Sequence, residues 1–273
     1  MPKYISNQLN LIIMILTRLG NKRKMKDLLR DNFPKHRMRI ELFFGAGGSF
    51  FYLEKPKFSI LNDYDSDVYN LYLQVLNNFE KLKKAIELLP VSEDLINYWR
   101  KNLESDPLKK AIRFLLLSNF TYLGKGDTIR LGINHDKRNL INRLEPTLQF
   151  LSDSKITNCD FREVLPKISF QEKVTPKSDC FVYMDPVYLG TEHYYKVPKW
   201  SVNDTEDCFR IMQDCGINTA MSEFNHECVL DFASDYNMNV IYLKDRQNIK
   251  NTRTEILITN YQKPQSGFFD MAV

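Results

Sequence analysis

The stretch that decides the fold is Cys180-Phe181-Val182-Tyr183-Met184-Asp185-Pro186-Val187-Tyr188. Its apolar first part predicts a buried strand that ends where an acid and a proline follow. Because proline cannot donate the hydrogen bond that a central strand needs, the chain must leave the sheet at Pro186. Asp185 is therefore predicted at the carboxyl end of that strand, the edge where open α/β sheets bind ligands. This carboxylate and the following Tyr188 ring suit a flat, amine-bearing group such as a nucleobase, although a helix-capping acid and a core tyrosine would be the plainer interpretation.

The composition is that of an ordinary globular protein. The 273 residues are 43% hydrophobic and 26% charged, which fits one large domain or one domain with an insertion. The net charge of +4 and the pI near 8.6 permit a nucleic-acid partner without demanding one. The five cysteines form no CxxC pair, so no metal site is predicted and a reducing cytoplasm is expected. The apolar run at 9–16 is too short to span a bilayer, so we predict a buried helix start and no membrane partner.

A predicted strand at 39–44 runs directly into a glycine-rich turn. The motif at this junction is Phe43-Phe44-Gly45-Ala46-Gly47-Gly48. A strand, a glycine turn and a following helix form the front of a nucleotide-binding βαβ unit. However, Phe50 stands where a dinucleotide fingerprint needs another glycine, and the turn lacks the lysine of a phosphate-binding P-loop. The turn therefore lets a ligand approach the backbone without gripping a phosphate, although positive φ angles alone would also explain its glycines.

The second predicted strand, 58–62, is followed directly by Asp63. An acid at this position binds ribose hydroxyls in nucleotide folds. A glycine turn and a ribose acid without a phosphate grip indicate a nucleoside cofactor that carries no phosphate, and S-adenosylmethionine fits that description. Asp65 and Asp67 are predicted instead to cap and to begin the next helix.

Helical periodicity dominates from about 65 to 154, and we predict an inserted, mostly helical module there. Its later part mixes aromatic residues and glycines with cations, which is typical of a loop that contacts nucleic acid. A solvated charged face would have the same composition, so that alternative stays open. The residues predicted to contact DNA are Asn119, Tyr122, Lys125, Arg130, Lys137 and Arg138.

The strands resume after this module. We predict them at 156–159, 181–184, 217–222, 239–243 and 255–260, with helices near 205–214 and 225–235. Asp160 is then a third acid at the tip of a strand. The last two strands could pair as an antiparallel hairpin at the sheet edge. This order predicts an α/β doubly wound fold.

Three motifs in this order carry a family resemblance. Leu19-Gly20-Asn21-Lys22-Arg23-Lys24, the glycine motif at 43–48 and Asp185-Pro186-Val187-Tyr188 resemble the Dam-like class of DNA adenine-N6 methyltransferases, in the order of its alpha group. The likeness covers nearly the whole chain. It implies a Rossmann-like, S-adenosylmethionine-dependent methyltransferase fold, α/β with a seven-stranded, mostly parallel sheet. It also implies a catalytic domain of 1–64 and 155–273 and a DNA target-recognition insert of 65–154.

The resemblance implies roles for individual residues. Gly45 and Gly47 would line the methionine part of S-adenosylmethionine, Asp63 would bind its ribose, and Asp160 with Phe161 would lie at its adenine. The full set implied at the cofactor is Arg18, Lys22, Phe44, Gly45, Gly47, Asp63, Asp160, Phe161 and Asp185. S-adenosylhomocysteine would be the product, and neither a metal nor a covalent intermediate is needed.

The catalytic roles implied by the resemblance belong to the motif after the central strand. Asp185 and the Pro186 carbonyl would accept hydrogen bonds from the N6 amine of an extruded adenine, and Tyr188 would stack on that base. Two positions depart from the family pattern: Val187 replaces a second proline, which bears on the rigidity of the turn, and Arg18 replaces an aromatic residue, which bears on one cofactor contact.

The alternatives differ in substrate or in activity. Cytosine-N4 methylation typically uses serine at the position of Asp185, and protein-amide methylation typically uses asparagine. RNA methylation and a DNA-binding pseudo-enzyme, the latter suggested by Val187, also stay open. The expected partner is double-stranded DNA, together with a separately acting restriction endonuclease unless the protein is an orphan modifier. The expected location is the cytoplasm, with a prokaryotic or phage origin.

Overall fold

The computed structural model describes residues 13–18, 22–130, 137–191, 198–247 and 252–262. The chain divides into two compact units. The first comprises the described parts of 1–26, 44–55 and 63–158, and the second those of 27–43, 56–62 and 159–273. Compactness does not assign a function to either unit, so the predicted catalytic domain and target-recognition insert stay predictions.

A mixed sheet organises the strands. Within the described residues the strands are β1 (Met38–Glu41), β2 (Phe58–Asn62), β3 (Ser154–Thr157), β4 (Cys180–Met184), β5 (Asn218–Phe224), β6 (Asn239–Gln247) and β7 (Thr252–Thr259). The sheet has seven strands in the order β3-β2-β1-β4-β5-β7-β6. Strands β2, β1, β4 and β5 pair in parallel, whereas β7 is antiparallel to both β5 and β6. The predicted seven-stranded, mostly parallel sheet and its antiparallel pair at one edge are confirmed.

In the second unit, one face of strands β1 and β4 packs in an apolar cluster, and the other face carries polar side chains. Ile40 on β1 lies beside Val182 on β4, and both belong to an apolar cluster that includes Phe209 of α7 (Val202–Asp214) and Val229 of α8 (Glu227–Asp235). Side chains alternate between the faces of a strand. The next residues in register, Glu41 and Tyr183, therefore point to the other face, where the sequence places polar groups.

Helices make up most of the first unit. They are α2 (Ser66–Asn77), α3 (Phe79–Leu88), α4 (Glu93–Lys101), α5 (Pro107–Phe120) and α6 (Lys137–Leu151), and a short α1 (Lys26–Arg30) begins at the end of this unit's first segment. The side chain of Asp65 accepts a hydrogen bond from the Asp67 N–H at 2.9 Å and caps α2, as predicted. Proline at the first position of α5 follows the capping Asp106, which is a favoured helix start.

Sequence predictions are wrong in two regions of the amino-terminal part, namely the glycine motif with its flanking elements and the apolar run. The helix expected after the glycine motif is a series of turns, in which the Phe50 and Phe51 N–H groups both donate to the Gly47 carbonyl, at 3.1 and 2.9 Å. These two rings pack with Phe44 and Tyr72 in an aromatic cluster, which the turns make possible. The strand expected at 39–44 ends at Glu41. The chain must bend before Gly45, whose φ is +53°.

The apolar run near the amino terminus is the second correction. Residues 9–12 lie outside the described residues, and 13–18 form neither helix nor strand, although Met14, Ile15 and Leu16 are buried as expected. Residues 19–21 of the opening motif also lie outside the described part. No helix of the described residues is long and apolar enough to cross a membrane.

Candidate active site

The glycine turn of the first unit is hydrogen-bonded to the side chain of Asp63. The Gly45 N–H donates to Asp63 Oδ2 at 2.6 Å, and the Asp65 N–H donates to Asp63 Oδ1 at 2.8 Å. The single carboxylate of Asp63 therefore holds both the glycine turn and Asp65, the residue that caps α2. Each of its oxygens retains a further lone pair for another donor.

The two glycines of the turn serve different purposes. A Cβ atom at Gly47 would lie 2.4 Å from Phe51 Cε2 and 2.9 Å from Phe44 Cζ, so internal packing requires glycine there. A Cβ atom at Gly45 would meet nothing within 4 Å. Both have a positive φ, which is +53° at Gly45 and +70° at Gly47. Open space beside the backbone thus occurs at Gly45, where a ligand can approach.

The electrostatics of this turn are set by burial and by one arginine. Burial raises the pKa of Asp63 above its ordinary value, while the positive charge of Arg18 and the two backbone N–H donors act in the opposite direction. Arg18 itself pairs with Asp65, and its guanidinium lies 5.6 Å from the centre of the Phe114 ring. Lys22, predicted near the cofactor, is a buried residue of a 3₁₀ turn at Lys22–Met25.

The turn after β4 belongs to the second unit. Asp185 and Val187 are half-buried, whereas Pro186 and Tyr188 are buried. The Tyr188 hydroxyl donates to Glu255 Oε1 at 2.8 Å, and its ring meets the Phe224 ring edge-on at 4.8 Å. Burial raises the pKa of Tyr188 well above its ordinary value, and the neighbouring carboxylates of Asp185 and Glu255 raise it further. The phenol therefore stays protonated and acts as a donor.

Asp160 and Phe161, predicted at the cofactor adenine, lie among aromatic and charged groups of the second unit. The Phe161 ring is 5.0 Å from Phe43 and 5.5 Å from Trp200, between centroids. Asp160 caps the short 3₁₀ turn that begins at Phe161 and pairs with Arg162 at 3.1 Å. The Arg162 guanidinium lies 4.3 Å from the centre of the Phe161 ring.

The residues predicted to contact DNA divide into two groups. Asn119 is buried and donates to the carbonyls of Ile15 and Leu115, and Lys137 donates to the carbonyls of Glu87 and Leu89 near the end of α3. The structure gives both a role inside the helical unit, and their contact with DNA stays a prediction. The other four, namely Tyr122, Lys125, Arg130 and Arg138, are exposed.

Three of these exposed residues lie on a closed loop. Thr121 and Ile129 form an antiparallel bridge, and the Arg130 N–H donates to the Phe120 carbonyl at 2.7 Å. The Tyr122 side chain, 58% exposed, stands on this loop with Lys125 and Arg130. A closed loop presents its side chains in a defined arrangement, as a nucleic-acid contact requires.

Sequence reasoning missed three residues around the turn after β4. Glu223 on β5 and both Arg253 and Glu255 on β7 bond to this turn. The signal was present at Glu223 and Glu255, because acids within otherwise apolar strands are rarely fully buried unless they are paired. Which group they pair with depends on the sheet order, which the sequence did not give.

Fold and site together define the class of protein. A mostly parallel seven-stranded sheet, a glycine turn after its first strand and acids directly after β2 and β4 make this an α/β protein with the Rossmann-like methyltransferase fold. Residues 19–256 match the model of the D12 class N6 adenine-specific DNA methyltransferases, and the chain belongs to that family. It is thus an adenine DNA methyltransferase.

Two curated relatives agree with this assignment. The chain is 24% identical over 276 residues to the Type II methyltransferase M1.LlaDCHI of Lactococcus lactis subsp. cremoris, covering 89% of this chain and 93% of that protein. It is 30% identical over 111 residues to the DNA adenine methylase of Escherichia coli K12, covering 38% of this chain and 40% of that protein. The solved structure of precorrin 8W decarboxylase of Methanobacterium thermoautotrophicum is 10% identical in sequence, and the match covers 86% of this chain and 88% of that chain. Its TM-score of 0.35 is too low to bear on fold or function.

Proposed function

We propose that this chain transfers the methyl group of S-adenosylmethionine to the N6 amine of an adenine rotated out of duplex DNA. The observation that carries the proposal is the position of Asp185. It directly follows the fully buried strand β4, and a buried proline and a buried tyrosine follow it. In a family of N6 adenine-specific DNA methyltransferases, such a carboxylate suits capture of an exocyclic amine.

The described residues of the first unit fit S-adenosylmethionine. Gly45 leaves room for a ligand beside the backbone, and Asp63 can accept ribose hydroxyls with the lone pairs that Gly45 and Asp65 do not use. Arg18, Lys22, Phe44 and Gly47 would hold or line this site. Asp160 and Phe161 would bind the adenine of the cofactor. When bound, S-adenosylmethionine supplies a methyl group on a positively charged sulfur.

Asp185 and the Pro186 carbonyl would prepare the amine for attack. The lone pair of N6 is delocalised into the adenine ring, which makes the amine a poor nucleophile. Two acceptors that bind its two N–H groups would favour a tetrahedral nitrogen, so the lone pair would be available to the methyl carbon. As the N–C bond formed, the bond from that carbon to the sulfur would break, S-adenosylhomocysteine would leave, and one N6 proton would pass to solvent. Extrusion of the base costs a few kcal/mol, which stacking on an aromatic side chain offsets. Tyr188 would provide that ring.

The exposed part of the helical unit would hold the DNA. Lys125, Arg130 and Arg138 are cations that can reach phosphates, and Tyr122 is an exposed ring beside two of them. The relative from Lactococcus lactis is named a Type II methyltransferase. We accordingly propose that this enzyme acts in the cytoplasm of a prokaryotic or phage-infected cell, beside a separate restriction endonuclease or as an orphan modifier.

Genome-wide mapping tests the proposal. The protein is expressed in a host without DNA methylation, and modified bases are located by single-molecule sequencing. We expect N6-methyladenine at one recurring sequence and its loss in Asp185→Ala. Asp179→Ala is the matched control, since its surface pair with Arg37 at 3.6 Å contributes little. N4-methylcytosine, or unmodified DNA with the parent protein, would contradict the proposal.

A further inference from the structure

Three consecutive residues, of which the first is the last residue of the Asp185 motif, are each bonded to a side chain of β5 or β7. The Tyr188 hydroxyl donates to Glu255 Oε1 at 2.8 Å, and the Leu189 N–H donates to Glu223 Oε2 at 3.3 Å. Arg253 donates to the Gly190 carbonyl from Nη1 and Nη2, at 3.3 and 3.2 Å. We call Glu223, Arg253 and Glu255 the clamp.

The antiparallel course of β7 makes this arrangement possible. Phe224, the last residue of β5, is paired with Glu255 near the start of β7. Since β4 and β5 are parallel, both end at the edge where β7 begins. A parallel β7 would have placed Arg253 and Glu255 at the opposite edge of the sheet. The reversed strand therefore brings its first residues to the turn that follows β4.

The clamp also fixes the Tyr188 ring from the side. Phe224 lies edge-on to Tyr188 at 4.8 Å, and the Arg253 guanidinium lies 5.5 Å from the centre of the same Phe224 ring. The Tyr188 hydroxyl is thus hydrogen-bonded, and its ring packs against Phe224. A phenol with these two constraints has a fixed ring plane.

Burial of the two glutamates is costly. Glu223 is 0% exposed and Glu255 is 1% exposed. Removal of a carboxylate from water is seldom repaid in full, even where hydrogen bonds such as those from the Tyr188 hydroxyl and the Leu189 N–H return part of the cost. The contribution of the two glutamates is better sought in the geometry of the turn than in the stability of the sheet.

We propose that Glu255, supported by Glu223 and Arg253, is a positioning residue for methyl transfer. It holds the Tyr188 ring in the plane on which the extruded adenine stacks, and Glu223 and Arg253 hold the chain that follows. This inference rests on the proposed function. A positioning role lowers kcat through misalignment of the base and leaves the affinity for the cofactor unchanged.

A double-mutant cycle tests the role of the Tyr188–Glu255 bond. Single-turnover methylation is measured with radiolabelled S-adenosylmethionine and genomic DNA from a methylation-free host. We expect Tyr188→Phe and Glu255→Ala each to slow transfer roughly five- to tenfold, the equivalent of one hydrogen bond. The double variant should be no slower than the slower single variant. Glu255→Gln, which keeps an acceptor oxygen, should restore most of the rate, and S-adenosylhomocysteine affinity should not change in any of them.

Tyr183→Phe is the matched control, since Tyr183 is a buried phenol of β4 bonded to Ser222 at 2.7 Å and not to the turn. It should change thermal stability and leave the transfer rate unaltered. Additive rate losses in the cycle, or an equal rate loss in Tyr183→Phe, would overturn the positioning role.

Hydrogen exchange separates this inference from the proposed function. The amides of Asp185 and of 187–190 should exchange faster in Glu255→Ala than in the parent and remain protected in Tyr183→Phe. Equal exchange in all three proteins would overturn the clamp whether or not the parent methylates DNA. A parent that transfers no methyl group would overturn the proposed function, and the exchange result would still decide whether the clamp orders the turn.

Discussion

Asp63 holds the glycine turn through its carboxylate, and we propose that the same side chain binds the cofactor. It accepts the N–H groups of Gly45 and Asp65, and the open space at Gly45 lies beside it. We expect Asp63→Ala to weaken S-adenosylmethionine binding by roughly 1.5–3 kcal/mol, the cost of losing hydrogen bonds to a charged group. Calorimetric titration measures this change.

Asp67→Ala serves as the control for that titration. Asp67 lies in the first turn of α2 and pairs with Lys110 at 3.0 Å, so its loss should affect the helix and leave cofactor affinity as it was. Equal affinity of the Asp63 variant and the parent would remove Asp63 from the cofactor site.

Val187 is the residue at which the catalytic turn departs from the family pattern. A second proline would fix φ and bias Pro186 towards extended conformations, whereas valine leaves φ free and adds an N–H group. We expect Val187→Pro to raise the single-turnover rate of methylation without changing either DNA or cofactor affinity. Misplacement by about 1 Å can cost on the order of a hundredfold in rate, which sets the upper limit of the gain.

The outcome also bears on the pseudo-enzyme alternative. A proline variant no faster than the parent would show that the clamp already fixes the turn well enough. A parent without measurable transfer, made active by Val187→Pro, would assign the loss of activity to this one position.

At the scale of elements, β1 carries a buried ion pair in the centre of the sheet. Arg39 Nη2 lies 2.8 Å from Glu41 Oε1, both side chains are 1% exposed, and the Arg39 guanidinium lies 4.9 Å from the centre of the Phe33 ring. Glu41→Gln would leave the arginine charge buried without its counter-charge. We expect a loss of roughly 3–5 kcal/mol in the free energy of unfolding, measured with urea.

An exposed pair provides the comparison for that measurement. Glu163 and Lys167 lie 2.7 Å apart at the surface, and Glu163→Gln should change the stability much less, because solvent screens an exposed pair. If the two variants lost equal stability, the burial of the β1 pair would have no special cost.

The elements themselves were largely predictable. The strands at 58–62 and 181–184 and the helix cap at Asp65 follow from local patterns, and the structure has them within a residue. The helix expected after Gly47 failed because its aromatic residues are used in a cluster with Tyr72, a contact between residues distant in sequence. Local periodicity does not carry such information.

The site was predictable only in part for the same reason. The placement of Asp63 and Asp185 directly after strand ends could be predicted from the sequence alone, and their roles in the site stay predictions. Glu255 could not be assigned to Tyr188, because 67 residues separate them and the pairing depends on β7 running antiparallel to β5. Sheet order, rather than any motif, brings the clamp to the catalytic turn.

At the scale of the whole molecule, charge is nearly balanced. The chain carries 38 basic and 34 acidic residues, a net charge of +4. Affinity for DNA must therefore come from local cations, and its salt dependence reports how many phosphates they contact. Lys125 and Arg130 on the closed loop and Arg138 on α6 are the exposed candidates.

Neutralising these cations one at a time should therefore change the salt dependence of DNA binding. We expect Lys125→Gln, Arg130→Gln and Arg138→Gln each to weaken binding to all sequences and to reduce the slope of log K against log salt by about 0.9. Lys173→Gln, at an exposed position of the second unit, should leave the slope unchanged. Fluorescence anisotropy over a series of salt concentrations measures all four variants. A variant that loses sequence preference at an unchanged slope would assign its residue to base reading, whereas no change in either would make the cations a solvated face.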